Sequence, residues 1–386
     1  MIPVLLSAVL TGTMLPLGVV AWDLSPVSMV QPRSPASDGR RCVVTPTQQQ
    51  QQQPNSNATL VGAVDDVPQI LQAFVDCNNG GTVVFPEGAR YLIASRLNPV
   101  VKDVTVDWHG VWENHQAGFV LSGERIRING HGTGGIDGSG DSWYEAEQGS
   151  TQAGRPMPFV LWNSPLWSIN VMNGSNLWFD DIYVNSTATT APPGKNWVQN
   201  TDGFDTTDAR NVALTNFVYQ GNGVAIGSLG QYPDEDASVA NVVVRDVRLI
   251  ARNNDMHNSA YIKTWVGETI SQPHGSYESA GKPNGGGRGS VTNVIFANFH
   301  LDDAGSGPAI DQDSGNNAFI NFTGTLNGKN SRPGGDSSNG NSSINNNTSS
   351  IRTARISCST RAQGECKYTA PGGVHGMIVL NDLVLV

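Results

Sequence analysis

The stretch that decides the fold is Asn176-Leu177-Trp178-Phe179-Asp180-Asp181-Ile182-Tyr183-Val184, because its pattern recurs further along the chain. Related copies begin at Asn211, Asn241 and Asn293. Each copy contains an Asn, an alternating apolar strand, an Asn or Asp corner and a second alternating strand. The starting residues are 35, 30 and 52 positions apart. This variation is typical of solenoid coils with loops of different lengths inserted on one side.

A unit of two strands and one polar corner cannot cover its own apolar face, whereas stacking on neighbouring units does cover it. An antiparallel sandwich is the rival all-β architecture, but it would not predict an Asn at the same corner of every unit. We therefore predict a right-handed, single-stranded parallel β-helix. Asp66 can cap a helix over residues 65–76 with Ile70, Leu71 and Phe74 on its apolar face. This helix would cover the N-terminal end of the core.

The composition agrees with a fold of short strands and tight turns. The 386 residues include 44 glycines, and only 15% of the residues are charged. Glycine supplies the positive-φ corners that such turns need. The formal net charge of -10 argues against nucleic acid or an acidic membrane surface as a partner, because both require a basic protein face.

Composition divides the chain into five predicted segments. They are a signal peptide (1–21), a low-complexity linker (22–60), the β-helix domain (61–330), a Gly/Ser/Asn-rich loop (331–350) and a C-terminal segment with a disulfide loop (351–386). The apolar run at 2–21 ends in small residues, which is typical of a cleaved secretory signal. An N-terminal membrane anchor is the alternative, and Pro3 and Pro16 weigh against it. We expect a secreted, extracellular monomer that contacts no membrane after signal removal.

Four cysteines and seven Asn-x-Ser/Thr sequons fit a secreted protein. Cys358 and Cys366 are eight residues apart in a polar stretch and are predicted to pair, and Cys42 would then pair with Cys77; other pairings remain open. The predicted glycosylation sites are Asn57, Asn173, Asn185, Asn321, Asn341, Asn346 and Asn347. The cysteine spacings fit no zinc pattern, so we expect neither a metal nor a cofactor.

Asp202, Asp205 and Asp208 form the densest group of candidate catalytic carboxylates. Hydrolysis of a glycosidic bond needs one protonated acid at the leaving oxygen and one carboxylate that activates water or attacks. Because strand residues alternate between faces, Asp202 and Asp208 are expected to share a face while Asp205 points elsewhere. On spacing alone, the three are more typical of solvated turn carboxylates.

Three motifs, in this order, carry a resemblance to a known family: Asn200-Thr201-Asp202-Gly203, Gly221-Asn222-Gly223 and Tyr261-Ile262-Lys263. Over roughly residues 60–325 the chain resembles the polygalacturonases, glycoside hydrolase family 28. The stretch Gly227–Tyr232 is similar to the exo-acting branch of the family, which includes galacturonidases and rhamnogalacturonan hydrolases. The resemblance implies a pectin-lyase-like β-helix and an inverting glycosidase that acts on the pectin backbone.

The resemblance also implies roles for individual residues. Asp202 matches the family's Asp that helps to activate the attacking water, and Lys263 matches a Lys that binds the substrate carboxylate. Tyr261 stands where the family has Arg, and Asn222 stands where it usually has His; both remain candidate substrate-binding residues. A tyrosine can stack on a sugar and donate one hydrogen bond, but it cannot form a bidentate clamp on a carboxylate.

One expected segment is missing. Gln220 runs directly into Gly221, where the family has about one further coil with a Gly-Asp-Asp-Cys motif. That coil supplies the general acid and a second water-activating Asp. A second gap is predicted after Asn316-Asn317. Because a coil is a modular unit, its removal is expected to leave a solenoid that still stacks but lacks the acid.

Three functions compete at this point. The leading hypothesis is a secreted pectin-backbone hydrolase of polygalacturonase type, exo-acting and impaired by loss of the general acid. The alternative is a non-catalytic carbohydrate-binding pseudoenzyme on the same β-helix. The third hypothesis is a structural or adhesin-like β-helix. Under this hypothesis, the match of Asp202 and Lys263 to the family motifs would be a coincidence. In the first two cases the partner is a pectic polysaccharide or oligosaccharide, galacturonan or rhamnogalacturonan.

Overall fold

The computed structural model describes residues 33–47, 64–113, 119–149, 164, 166–193, 195–250, 259–265, 269, 283–304, 309–311, 317–326, 355–357 and 378–379, with backbone only beyond residue 302. These ranges contain two helices, α1 (Val67–Asp76) and α2 (Asp141–Glu147). The strands are β1 (Arg41–Val43), β2 (Thr82–Phe85), β3 (Arg90–Leu92), β4 (Val100–Trp108), β5 (Val111–Glu113), β6 (Ser122–Asn129), β7 (Gly135–Ile136), β8 (Ile169–Asn185), β9 (Phe204–Gln220), β10 (Val224–Leu229), β11 (Asp236–Ile250), β12 (Ala260–Thr264), β13 (Arg288–Ala304), β14 (Ala309–Asp311), β15 (Asn317–Leu326), β16 (Arg355–Ser357) and β17 (Ile378–Val379). Neither helix is long and apolar enough to cross a membrane.

The strands form parallel sheets that stack coil on coil. β1, β2, β4 and β6 make one sheet in that order, and β3, β5 and β7 make a second. The largest sheet has the order β16-β14-β12-β10-β9-β11-β13-β15-β17, and β8 pairs with β9 beside this path. Among the pairings of described strands, only that of β15 with β17 is antiparallel. The chain is therefore the predicted right-handed parallel β-helix and not a sandwich.

Alternation along the repeated strands places one apolar set inside the coil. The residues predicted to face inward are all buried: Val212, Leu214, Val242, Val244, Val294 and Phe296. Residues at the same position of successive coils are register partners, as Val212 is with Val242 and Val242 with Val294. Each coil therefore covers the apolar face of its neighbour, as the repeat predicted.

The recurring Asn forms a ladder along one corner of the solenoid. Asn211 donates its side-chain amide to Asn176 Oδ1 at 3.0 Å, Asn241 donates to Asn211 at 2.9 Å, and Asn293 donates to Asn241 at 2.7 Å. All four have φ between 54° and 57°, a left-handed conformation that Asn tolerates better than most residues. Asn therefore meets two requirements of this corner: it tolerates the left-handed backbone, and its side-chain amide forms the hydrogen bonds of the ladder.

The N-terminal end of the core is covered as predicted. Helix α1 buries Val67, Ile70, Ala73 and Phe74 in a cluster with the first sheets. Asp66 is at the predicted N-cap position, but its side chain makes no cap hydrogen bond to the helix. Its carboxylate instead accepts from the backbone N–H groups of Thr47 and Leu92 at 2.8 Å each.

Part of the predicted linker is ordered. β1 lies inside the segment 22–60 and pairs in parallel with β2, and a disulfide joins Cys42 to Cys77 with an S–S distance of 2.13 Å. The composition of the segment does not indicate this strand, because both its pairing with β2 and its disulfide depend on residues far away in the sequence. The predicted Cys358–Cys366 disulfide lies outside the described residues.

Two strands in the middle of the described stack have a partner strand on one side only. Among the described strands, β6 pairs only with β4, and β8 pairs only with β9. We call the unpaired sides of β6 and β8 the open edge. Inward-facing residues there are poorly covered: Phe179 is only partly buried while its register partner Leu214 is fully buried. Ile128 is 41% exposed while its partner Val106 is 1% exposed.

Candidate active site

The solenoid brings the three motifs together on neighbouring strands. Asn200-Thr201-Asp202-Gly203 leads into β9, Gly221-Asn222-Gly223 leads into β10, and Tyr261-Ile262-Lys263 lies in β12. β10 pairs with β9 on one side and with β12 on the other. Consequently, residues up to 63 positions apart in sequence lie on three adjacent coils.

Asp202 is the centre of this site. It is 5% exposed and accepts two hydrogen bonds. Asn222 Nδ2 donates to its Oδ1 at 2.7 Å, and the Tyr261 hydroxyl donates to its Oδ2 at 3.1 Å. Burial and the nearby Asp202 raise the pKa of Tyr261 well above its ordinary value, so the phenol remains a donor. Asn222 and Tyr261 stand where the family has His and Arg. Both are therefore neutral hydrogen-bond donors to the Asp202 carboxylate.

Lys263 lies on the outer face of the same strand as Tyr261. Ile262 between them is buried, so its two neighbours point outward by strand alternation. Lys263 is exposed and is close enough to Asp205 to lower the pKa of that carboxyl. Lys263 therefore faces solvent, whereas Asp202 and Asn222 lie buried behind the surface.

Asp205 was wrongly expected to point away from Asp202. The strand begins only at Phe204, so strand alternation does not apply to Asp202. Asp205 is 4% exposed, and burial together with the nearby Asp202 raises its pKa well above the ordinary value. The expected partner, Asp208, instead accepts from the Ser238 backbone N–H at 3.4 Å.

Tyr219 is a second residue that the motifs did not indicate. Its ring is fully buried, and its hydroxyl donates to the Thr201 backbone oxygen beside Asp202. A Cβ on Gly203 would lie 2.6 Å from the ring, and one on Gly221 would lie 2.1 Å from the hydroxyl oxygen. The glycines of the first two motifs are therefore needed for close approach to Tyr219.

The chain closes at Gln220–Gly221 without leaving a gap. Ser186 N–H donates to the Gln220 oxygen at 2.6 Å, and Gly203 N–H donates to the Gly223 oxygen at 2.9 Å. Phe204–Thr206 then pair directly with Val224–Ile226. We call this the closed junction. It agrees with the expectation that the solenoid stacks without the family's additional coil.

The other predicted site residues are dispersed. Of the sequon asparagines, Asn173 is exposed, and half-buried Asn185 accepts from the Thr187 hydroxyl at 2.7 Å. The remaining sequon side chains lie outside the described residues. Within the described part of the chain there is no group of three or more His, Cys, Asp or Glu that could hold a metal ion.

Comparison with known proteins decides the family. The chain is 47% identical to "Putative galacturan 1,4-alpha-galacturonidase C" of Aspergillus niger over an alignment that covers 82% of this chain and 91% of that protein. It is 44% identical to the protein of the same name from Neosartorya fischeri, over 81% of this chain and 90% of the relative. The chain belongs to glycoside hydrolase family 28. This is the polygalacturonase family of glycosidases.

The chain also has more distant matches. The "Exopolygalacturonase" of Cochliobolus carbonum is 29% identical over 61% of this chain and 62% of that protein. Among solved structures, endo-xylogalacturonan hydrolase from Aspergillus tubingensis matches with a TM-score of 0.43 and 22% identity, over 70% of this chain and 76% of that one. No family model matches the chain.

The alignment with the Aspergillus niger relative is longer than this chain. It spans 407 positions, whereas the covered 82% of 386 residues is about 317 residues. About 90 aligned positions of the relative therefore have no counterpart in this family 28 chain.

Proposed function

We propose that this chain binds galacturonate units of pectin at the site around Asp202, and that it hydrolyses them poorly because it lacks a general acid. The observation that carries the proposal is Asp202 held by Asn222 and Tyr261, with Lys263 exposed on the outer face of the strand that carries Tyr261. The names of the relatives, galacturonidase and exopolygalacturonase, support galacturonan as the substrate and an exo-acting mode.

Each residue has a proposed role. Asp202 polarises the attacking water, and Lys263 attracts the uronate carboxylate as a point charge. Tyr261 lies two residues from Lys263 on the same face, so its ring is placed to contact the sugar that Lys263 binds. Asn222 fixes the orientation of Asp202 through its 2.7 Å hydrogen bond.

The proton donor is the missing part. Asp205 is the second carboxyl of the site, but the resemblance gives it no role as the acid, because the family's acid lies in the Gly-Asp-Asp-Cys coil, which this sequence does not match. Without an acid the leaving group departs as an alkoxide, and general acid assistance contributes roughly 10²–10⁴-fold to such rates. The aligned positions that this chain lacks support the loss of a segment.

A carbohydrate-binding pseudoenzyme on the same scaffold is the second candidate. The feature that favours it is the closed junction, because the solenoid stacks there without the acid-bearing coil. In this case binding alone is the function, and residual hydrolysis is incidental.

We further propose secretion after cleavage of residues 1–21, a monomeric β-helix domain at 61–330, and glycosylation at the sequons.

The test measures binding and hydrolysis of digalacturonate separately. We expect calorimetric binding by the full chain, with a dissociation constant that rises about tenfold or more in Lys263→Met and recovers in Lys263→Arg, since charge-assisted hydrogen bonds contribute about 1.5–3 kcal/mol. Release of reducing ends should stay at least about 10²-fold below that of the Aspergillus niger relative. Equal binding by the Met and Arg variants would contradict the assigned role of Lys263.

A further inference from the structure

Asp205 is a buried carboxyl with an oxygen that lacks a donor among the described residues. It is 4% exposed, and its Oδ2 has no partner among the described residues. A buried acceptor without a donor is rare in native proteins and requires a physical explanation. An ionised carboxylate in this position would lose its hydration without any compensating hydrogen bond.

The strand next to Asp205 presents a second oxygen that lacks a donor. Asn170 in β8 is the register partner of Asp205 in β9, so their side chains are neighbours on the same face. Asn170 Oδ1 is also buried without a hydrogen-bond partner. Two acceptors are therefore adjacent in the ladder, and a proton on the Asp205 carboxyl would provide the donor that both lack.

The charged and titratable groups around Asp205 come from three elements. Asp202 precedes β9, Tyr219 lies at the far end of β9, and Tyr261 and Lys263 lie in β12. Both tyrosines are neutral, because burial raises the pKa of each well above its ordinary value. Asp202 opposes a negative charge on Asp205, whereas the exposed Lys263 favours one.

The two carboxyls of the site have different surroundings. Asp202 accepts hydrogen bonds from Asn222 and Tyr261, and such bonds stabilise the ionised form. The Oδ2 of Asp205 accepts none from the described part of the chain, and the burial of this carboxyl disfavours its charge. Two nearby carboxyls in such different environments separate into one charged and one neutral group.

We propose that Asp205 is a positioning residue that retains a proton at neutral pH, so that the Asp202–Asp205 pair carries one negative charge. Together with Lys263 the site is then electrically neutral, which allows an anionic sugar to approach. Loss of the proton would leave an excess negative charge beside the ligand. This consequence for binding rests on the proposed function, whereas the protonation itself does not.

The first measurement requires no ligand. We expect the infrared difference spectrum between the wild-type chain and Asp205→Asn at pH 7 to show the C=O stretching band of a protonated carboxylic acid. Asp208→Asn is the matched control, because it makes the same substitution on the same strand outside the pair, and its difference spectrum should lack the band. Absence of the band for Asp205→Asn would overturn the proposal.

The second measurement is unfolding as a function of pH. Because the folded state raises the pKa of Asp205, it binds more protons than the unfolded chain above the unfolded value of about 3.9. The contribution of Asp205 to stability is therefore present at low pH and is lost as the pH rises toward the folded value. The unfolding constant should rise by up to about tenfold per pH unit in this window. Asp205→Asn should remove this part of the pH dependence of the unfolding constant, whereas Asp208→Asn should keep it. The same pH dependence in Asp205→Asn as in the wild-type chain would contradict the proposal.

The third measurement uses digalacturonate as the probe. Wild-type affinity should fall as the pH rises past the folded pKa of Asp205, by up to about tenfold per unit, and Asp205→Asn should bind with little dependence in this range. The same pH dependence in both proteins would overturn the charge-balancing role. If neither protein binds the probe, the proposed function fails, and the spectrum and the unfolding data still decide whether Asp205 is protonated.

Discussion

The closed junction and the open edge show two different outcomes in one solenoid. At Gln220–Gly221 the strands on either side pair directly, and their inward residues Phe204 and Val224 are each 1% exposed. At the open edge the strands β6 and β8 pair with no described strand on one side. Apolar side chains there, such as Phe179, remain only partly buried.

The difference follows from how a solenoid is stabilised. A coil covers its apolar face only through a neighbour in matching register. The closed junction has this match, because β10 pairs with both β9 and β12. The open edge lacks it among the described strands and leaves apolar side chains there partly exposed, and an open strand edge is a site where other strands can associate. The relatives' additional aligned positions include enough chain for a further coil.

The largest expected effect compares two leucines on adjacent strands. Leu214 in β9 is fully buried, whereas Leu177 in β8 faces the same core but is only partly buried. We expect Leu214→Ala to lower the free energy of unfolding by about 3–4 kcal/mol and Leu177→Ala by about 1 kcal/mol, because only the first leaves a closed cavity. Denaturant titration measures both. Equal losses would indicate that the open edge is covered in solution.

A smaller effect should distinguish two positions of the Asn ladder. Asn211 donates to Asn176 and accepts from Asn241, whereas Asn176 at the open edge has, among the described residues, the bond from Asn211 alone in this ladder. Both residues have φ of 57°, so the backbone cost of an Ala is the same at each. Asn211→Ala should therefore destabilise the protein by about 1 kcal/mol more than Asn176→Ala, the value of one hydrogen bond. A larger loss for Asn176→Ala would mean that another strand extends the ladder beyond β8.

Local patterns in the sequence predicted the coils but not every contact between them. Two features were sufficient to predict the β-helix: the alternation around Val212 and Val242, and the Asn at each corner. They were sufficient because no unit can cover its own apolar face, so every unit must stack on a neighbour. The position of Asp205 beside Asp202 was not predictable in this way. It depends on where β9 begins, and a turn residue such as Asp202 does not follow strand alternation.

The open edge had no signal in the sequence either. β6 and β8 each have the composition of an ordinary strand, and only the pairing between distant segments determines whether a neighbour is present. The motif comparison predicts a missing coil at Gln220–Gly221, and it relies on an ordered set of residues rather than on local propensity. It also brought Asp202, Asn222 and Tyr261 into one cluster, although 59 residues separate the ends of that set.

The most direct test inserts the coil that we propose this chain lacks. A coil with the family's Gly-Asp-Asp-Cys motif is inserted between Gln220 and Gly221, and the release of reducing ends from oligogalacturonides is compared with that of the unmodified chain. Both proteins are first shown to be folded by circular dichroism. The account predicts at least about a 10²-fold gain in turnover from the inserted acid, with Lys263 still required for binding. Full turnover by the unmodified chain, at the rate of the Aspergillus niger relative, would contradict the account.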